Sequence, residues 1–318
     1  MNIVILDGHA VNPGDLSWKP FEQFGKIAVY PRTPQSLIVE RAMEADAVLI
    51  NKTVLSGDIL EQLPRLQYIG ICATGYNVVD IAYAKSHGIT VCNVPGYSTN
   101  SVAQHVFALL LNITNRVEHY AQANIKGKWS QSEDFCYWDY PIRELFGKTL
   151  GIYGLGNIGQ AVARIGYALG MSVIAYTSKQ SSDVPAYVRK VSLADLLSQS
   201  DVLTLHCPLT ETTFHLVNEE TLRKMKHTAI LVNTARGNLV DEKAVADSLI
   251  KNELGAFAAD VLSTEPPSIG NPLFSAPNVF ITPHIAWATL EARKRLMDIC
   301  VQNLSAFVSG IPENQISD

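Results

Sequence analysis

The stretch from Thr149 to Gly159 constrains this chain more tightly than any other. An apolar run holding Leu150 and Ile152 ends in Gly154-x-Gly156-x-x-Gly159. Val162, Ile165 and Leu169 then recur at helical spacing up to a helix-ending Gly170. Met171 to Tyr176 reads as a second strand and completes a β-α-β unit. Clustered glycines alone mark many turns, but a strand before and a helix after turn them into a dinucleotide-binding fingerprint. Gly154 permits the tight turn, Gly156 lets a pyrophosphate approach the backbone, and Gly159 lets the helix pack on the sheet. The first amides of the helix, at Asn157 and Ile158, attract the phosphates. A ligand-free glycine turn is the alternative, and the flanking pattern disfavours it.

Similar apolar runs punctuate the rest of the chain. Asn2 to Asp7, Lys26 to Tyr30, Ala47 to Ile50, Leu66 to Cys72 and Ile89 to Val94 alternate with helical stretches, the signature of a parallel sheet covered on both faces. Pro95-Gly96 breaks this series, and apolar positions from Val102 to Ile113 predict one long helix running to about Tyr120. An aromatic segment from Trp129 to Tyr140 follows, readable as a packed surface loop or as an arm to a neighbouring subunit. Beyond the fingerprint, strands end at Leu205, Val232, Ala259 and Ile281, and a helix from about Thr289 to Val308 returns to the first domain. The expected fold is therefore α/β, two doubly wound parallel-sheet domains. One is a Rossmann-type dinucleotide-binding domain over 99–287, and the other a smaller, discontinuous domain over 1–98 and 288–318.

Composition removes several classes of function. A net charge of −5 and a pI near 5.9 leave no electrostatic footprint for nucleic acid or an anionic membrane. No apolar run is long enough to span a bilayer, and no signal-peptide pattern follows Met1. The five cysteines (Cys72, Cys92, Cys136, Cys207 and Cys300) are scattered without metal-ligand spacing, so neither a disulfide framework nor a metal is expected. The chain ends Gln315-Ile316-Ser317-Asp318, which carries no peroxisomal or ER address, and a cytoplasmic location is expected.

Ligands of open α/β sheets bind outside the carboxyl ends of the strands. Arg236, Asp260 and His284 stand at such ends, and Glu265 follows Asp260 by five residues. Each alone has an ordinary structural explanation, as an ion-pair partner or an exposed polar group. Together they match the needs of a carbonyl reduction in which a nicotinamide supplies hydride. Arginine holds a carboxylate bidentately. Histidine is a natural general acid, and a neighbouring carboxylate orients it and favours its charged form. Arg236 is thus the expected anchor of a 2-oxo acid, His284 the proton donor and Glu265 its orienting partner.

At these residues the chain resembles the D-2-hydroxyacid dehydrogenase family. The resemblance rests on the glycine fingerprint, on His206-Cys207-Pro208-Leu209-Thr210 and on Asn233-Thr234-Ala235-Arg236-Gly237. It also includes Asp260-Val261 with Glu265-Pro266, Thr282-Pro283-His284 and Ala73-Thr74-Gly75-Tyr76-Asn77. It implies a flavodoxin-like substrate domain, a cleft between the domains, NAD or NADP as cofactor and a homodimer. Cofactor contacts would come from Gly154, Gly156, Asn157, Ile158, Gly159, His206, Cys207, Pro208, Thr213, Thr234 and Ala235, with Asp260 at the nicotinamide carboxamide. The substrate would meet Thr74, Gly75 and Tyr76 as well as Arg236 and His284. Within the family, Asn51-Lys52-Thr53 and His284-Ile285-Ala286-Trp287-Ala288 resemble the glycerate dehydrogenase (hydroxypyruvate reductase) branch, which adds Lys52 and Trp287 to the substrate side. The implied activity is reduction of hydroxypyruvate or glyoxylate; another D-2-hydroxy acid, or an NAD(H)-sensing corepressor-like scaffold, is the alternative. One departure stands out. Where an NAD-preferring unit carries Asp or Glu after the second strand, this chain has Thr177-Ser178-Lys179, which predicts that NADP is accepted.

Overall fold

Most strands form from short, predominantly apolar runs, and burial on both faces of the central ones explains why these show no polar alternation. The structure is a computed structural model that describes residues 1–316, so Ser317 and Asp318 of the C-terminal tetrapeptide lie outside the described residues. Two units are distinct: Met1–Ser98 with the chain from Ala288, and Thr99–Trp287.

The first unit contains β1 (Asn2–Ile5), β2 (Lys26–Val29), β3 (Ala47–Ile50), β4 (Tyr68–Ile71) and β5 (Thr90–Cys92). They pair in parallel in the order β2-β1-β3-β4-β5, the flavodoxin-like arrangement. The helices α1 (Gly8–Val11), α2 (Ile38–Ala42), α3 (Gly57–Leu60) and α4 (Ile81–Ser86) connect them. Central β3 and β4 are buried throughout, whereas edge strand β2 is largely exposed.

The second unit begins with α5 (Thr99–Asn115) and α6 (Val117–Ile125). The single helix expected through Tyr120 is two helices, because Arg116 between them adopts a left-handed φ of 53°. Its guanidinium lies 4.9 Å from the centroids of both Tyr140 and Phe280 and donates to Asn278 Oδ1, contacts that reward the break. The aromatic segment packs on α6. Tyr137 donates to Asn124, and the Tyr120 hydroxyl accepts the Asp139 amide. Phe135 and Trp138 nevertheless stay 88% and 68% exposed.

The glycine unit forms β6 (Thr149–Tyr153), α7 (Asn157–Ala168) and β7 (Ser172–Tyr176). The chain continues through β8 (Val188–Lys190), α8 (Leu193–Gln199), β9 (Val202–Leu205), α9 (Glu219–Leu222) and β10 (Ile230–Asn233). It ends with α10 (Glu242–Ile250), β11 (Ala256–Ala259) and β12 (Val279–Ile281). All seven strands are parallel in the order β12-β11-β10-β9-β6-β7-β8, a Rossmann-type sheet with one added strand. Strand β8 escapes sequence reading because it is a three-residue edge in which only Val188 is buried. Ala103, Val106 and Leu110 of α5 share one core with Leu150, Ile152 and Val162, so α5 and α7 cover the same face of the sheet.

The chain then returns to the first unit as α11 (Leu290–Val308), capped by Thr289 and packed on β4. Buried Arg293 makes a two-pronged pair with Asp15, at 2.7 and 2.6 Å. Among the described residues, no helix is long and apolar enough to cross a membrane.

Candidate active site

The order of strands reverses between β6 and β9, where ligands of this fold class bind. Gly154 leaves β6 with φ of 94°, and a Cβ there would lie 2.6 Å from the His206 carbonyl oxygen. A Cβ on Gly159 would strike the Gly154 oxygen at 2.1 Å, so only glycine allows this helix to start so close to the strand. Gly156 is different, because no atom stands within 4 Å of where its Cβ would be. That glycine is the N-cap of α7 and offers no side chain to the first turn, leaving the amides of Asn157 and Ile158 without an intrahelical acceptor. Open space over bare helix-start amides fits a pyrophosphate.

The neighbouring strand ends carry the rest of the expected cofactor set. Burial lowers the His206 ring to about pKa 3, so it is neutral at physiological pH, and its Nε2 lies 2.9 Å from Thr204 Oγ1. Burial pushes the Cys207 thiol up to about 11, which keeps it protonated and removes it as a nucleophile. Thr213 turns its hydroxyl inward to the Pro208 carbonyl and the Thr210 amide, so it braces this loop. At the end of β10 the Thr234 hydroxyl is buried and has no partner among the described residues, an orphan at the strand end.

Arg236, Asp260 and His284 follow the three consecutive strands β10, β11 and β12. Asn233, 1% exposed, shapes the first of these ends: its amide donates to the Arg236 carbonyl and accepts from the Ala235 amide. Arg236 itself is exposed and spends Nη1 on the Ala235 carbonyl at 2.7 Å, which leaves the rest of its fork for a ligand. A Cβ on Gly237 would sit 2.0 Å from the Leu262 carbonyl carbon, so this end packs directly on the segment leading to Glu265.

His284 and Glu265 meet, with Nδ1 2.6 Å from Oε2. An ionised carboxylate only accepts, so Nδ1 carries a proton and Nε2 is the nitrogen left for a substrate. The other Glu265 oxygen accepts the Leu262 amide. Glu242 clamps the loop around Glu265, taking the Ser263 amide at 2.6 Å and the Asn271 side-chain amide at 2.8 Å. Asp260 is only 1% exposed, and its carboxylate accepts from Thr282 Oγ1 and from the amides of Ile285 and Ala286 at 2.6, 2.9 and 2.7 Å. Its direct partners thus include the Thr282 hydroxyl and the two amides that follow His284, which is held at a left-handed φ of 56°. Trp287, half-buried, closes this segment.

In the first unit, the amides of Asn51, Lys52 and Thr53 converge on the Asp7 carboxylate at 2.7, 2.6 and 2.8 Å. One side chain at the end of β1 therefore fixes the loop after β3. Thr74 donates to the Val94 carbonyl, and Gly75 and the exposed Tyr76 continue the loop after β4. Beyond β7, the Lys179 amide donates to Thr177 Oγ1. Lys190 of the unread strand β8 donates to the Lys179 carbonyl at 2.5 Å, bringing a second cation to the Thr177-Ser178-Lys179 loop.

The sequence-read residues are thereby distributed over strand ends, and Asn233, Glu242, Asp7 and Lys190 join them as supports. Asp7 was legible as a carboxylate ending a strand; Glu242 and Lys190 carried no local signal.

Comparison with known proteins identifies the family of the chain. The profile described as D-isomer specific 2-hydroxyacid dehydrogenase, NAD binding domain, matches residues 107–286. A hydroxypyruvate reductase of Blautia hydrogenotrophica is 47% identical over the full length of both chains. A glycerate dehydrogenase of Methylorubrum extorquens is 45% identical over 89% of each. Among solved structures, an acyclic imino acid reductase in complex with NADPH and D-Arg superposes with a TM-score of 0.86 at 30% identity, covering both chains completely. The chain belongs to the D-isomer specific 2-hydroxyacid dehydrogenase family.

Proposed function

We propose that this enzyme reduces a short, polar 2-oxo acid, hydroxypyruvate or glyoxylate, to the D-2-hydroxy acid, and runs the reverse oxidation on the same residues. The observation that carries the proposal is the 2.6 Å contact of His284 Nδ1 with Glu265 after β12, with the partly unspent guanidinium of Arg236 two strands along the sheet, after β10. The names of the two relatives above support the substrate class. Lys52, the backbone N–H groups of Thr74, Gly75 and Tyr76, and Trp287 belong to the substrate side. The scaffold alternative is not favoured by those relatives.

A bound nicotinamide cofactor supplies and accepts the hydride. The remaining work falls to the chain. Arg236 grips the substrate carboxylate as a fork, which fixes the keto carbon relative to the strand ends. His284, protonated, delivers its Nε2 proton to the carbonyl oxygen and takes it back in the oxidation. Glu265 holds the ring in the tautomer that leaves Nε2 outward. Neutral His206 and the Cys207 thiol add no charge beside the cofactor.

The absence of a carboxylate in Thr177-Ser178-Lys179, with Lys190 added by the fold, favours acceptance of NADPH as well as NADH. A panel of 2-oxo acids assayed with both cofactors tests the function. Hydroxypyruvate and glyoxylate should give the highest kcat/KM, and no reduction of any 2-oxo acid with either cofactor would defeat the proposal. Thr177→Asp should lower kcat/KM with NADPH by about tenfold or more while sparing NADH, because a carboxylate repels a 2′-phosphate. Unaltered NADPH efficiency would exclude this loop from cofactor choice.

The exposed Phe135 and Trp138, with Val117 and Ile125 at the two ends of α6, support a homodimer. Light scattering should give twice the 34.8 kDa of one chain, and a single-chain mass would refute it. All five cysteines are free, which suits a reducing, cytoplasmic setting.

A further inference from the structure

His105 lies on α5, a helix that the glycine fingerprint and the strand ends leave without an assigned chemical task. Its side chain is 18% exposed, and its Nε2 sits 2.8 Å from Thr282 Oγ1 and 3.5 Å from Asp260 Oδ1. The Thr282 hydroxyl has one proton, and its shortest contact, 2.6 Å, is to Asp260 Oδ1. That proton therefore goes to the carboxylate, and the Thr282 oxygen must accept from His105. The chain of donors runs from His105 Nε2–H to Thr282 Oγ1–H to Asp260. One turn earlier on the same face of α5, Ser101 donates to the Ala286 carbonyl at 2.5 Å.

The segment so buttressed carries His284. Asp260 accepts from the amides of Ile285 and Ala286, the two residues that follow His284, and Ser101 donates to the Ala286 carbonyl. His284 itself is in the left-handed region, where a non-glycine residue persists only if its surroundings over-determine it. A strained residue whose ring must stay 2.6 Å from Glu265 needs such a frame.

We propose that His105 is a positioning residue: through the Thr282 hydroxyl it fixes Asp260, and through Asp260 it holds the left-handed turn that aims His284. Its effect on turnover rests on the reading of His284 as the proton donor, whereas its effect on the turn does not. The test uses the full-length chain and two readouts, amide hydrogen exchange without substrate and steady-state reduction of hydroxypyruvate. In His105→Leu, the amides of Ile285 and Ala286 should exchange about tenfold faster or more, while those of α10 keep the wild-type rate. The same variant should lose about tenfold in kcat with little change in the KM for NADH, because the acid is displaced and the cofactor is not. His105→Gln places an amide donor at the reach of Nε2 and should restore both readouts. Unchanged exchange at Ile285 and Ala286, failure of glutamine to restore it, or acceleration spread evenly through the unit overturns the proposal. If the wild-type chain reduces no 2-oxo acid, the proposed function fails and the exchange data alone decide the role of His105. Should His105→Leu fail to fold, Thr282→Val removes the same relay and must reproduce the local acceleration for the proposal to stand.

Discussion

His284→Ala is expected to lower kcat for hydroxypyruvate reduction by about 10³-fold, within the range for loss of a general acid, while the affinity for NADH stays near that of the wild type. The ring gives Nδ1 to Glu265 and, in the proposed mechanism, Nε2 to the substrate, and neither contact involves the glycine turn where the pyrophosphate would lie. Stopped-flow turnover and fluorescence titration of NADH separate the two quantities. Equal loss of both would mean that His284 serves the fold of its loop and not the proton transfer. Such a result is physically reasonable to test for, because His284 occupies a left-handed turn in which its backbone also matters.

Arg236→Lys is expected to reduce kcat/KM by on the order of 10²-fold, chiefly through a higher KM for the 2-oxo acid, since a charge-assisted contact of about 2–3 kcal/mol is lost while the positive charge remains. A lysine ammonium is a point charge and cannot match a carboxylate with two parallel N–H groups. The backbone around position 236 should not move, because Asn233 shapes it through the Arg236 carbonyl and Ala235 amide and not through the guanidinium. Steady-state kinetics across hydroxypyruvate concentrations reads the effect. A KM equal to that of the wild type would relocate the carboxylate anchor to another residue.

Much of the fold was legible because its signals are local. A fully buried parallel strand is a short apolar run, and a phosphate-binding turn needs glycines at fixed offsets from a strand and a helix. Gly154 to Gly159 satisfied both requirements, and the strand order found on either side of β6 agrees with the unit they announced. The readings that changed lacked such signals. Arg116 interrupts a helix because Tyr140, Phe280 and Asn278, remote in sequence, attract its guanidinium. Strand β8 is short, polar and at an edge, so neither it nor the placement of Lys190 has a local signal in the sequence.

The chemistry divides along the same line. Residue type and position at the strand ends selected Arg236, Glu265 and His284 from the sequence, since few side chains can anchor a carboxylate or move a proton near neutral pH. Asp260 also ends a strand, and the family resemblance places it at the nicotinamide carboxamide. Only the tertiary structure revealed that its oxygens turn inward to Thr282, Ile285 and Ala286. The Asp7 and Glu242 clamps, and His105 behind Thr282, likewise depend on groups brought together from distant parts of the chain. The amino-acid sequence alone determined the α/β class and the glycine turn, and it nominated the side chains proposed to react, because each is set by residue identity and short-range spacing. The tertiary structure decided what holds them in place, because a buried hydrogen bond is defined by partners that meet only after folding.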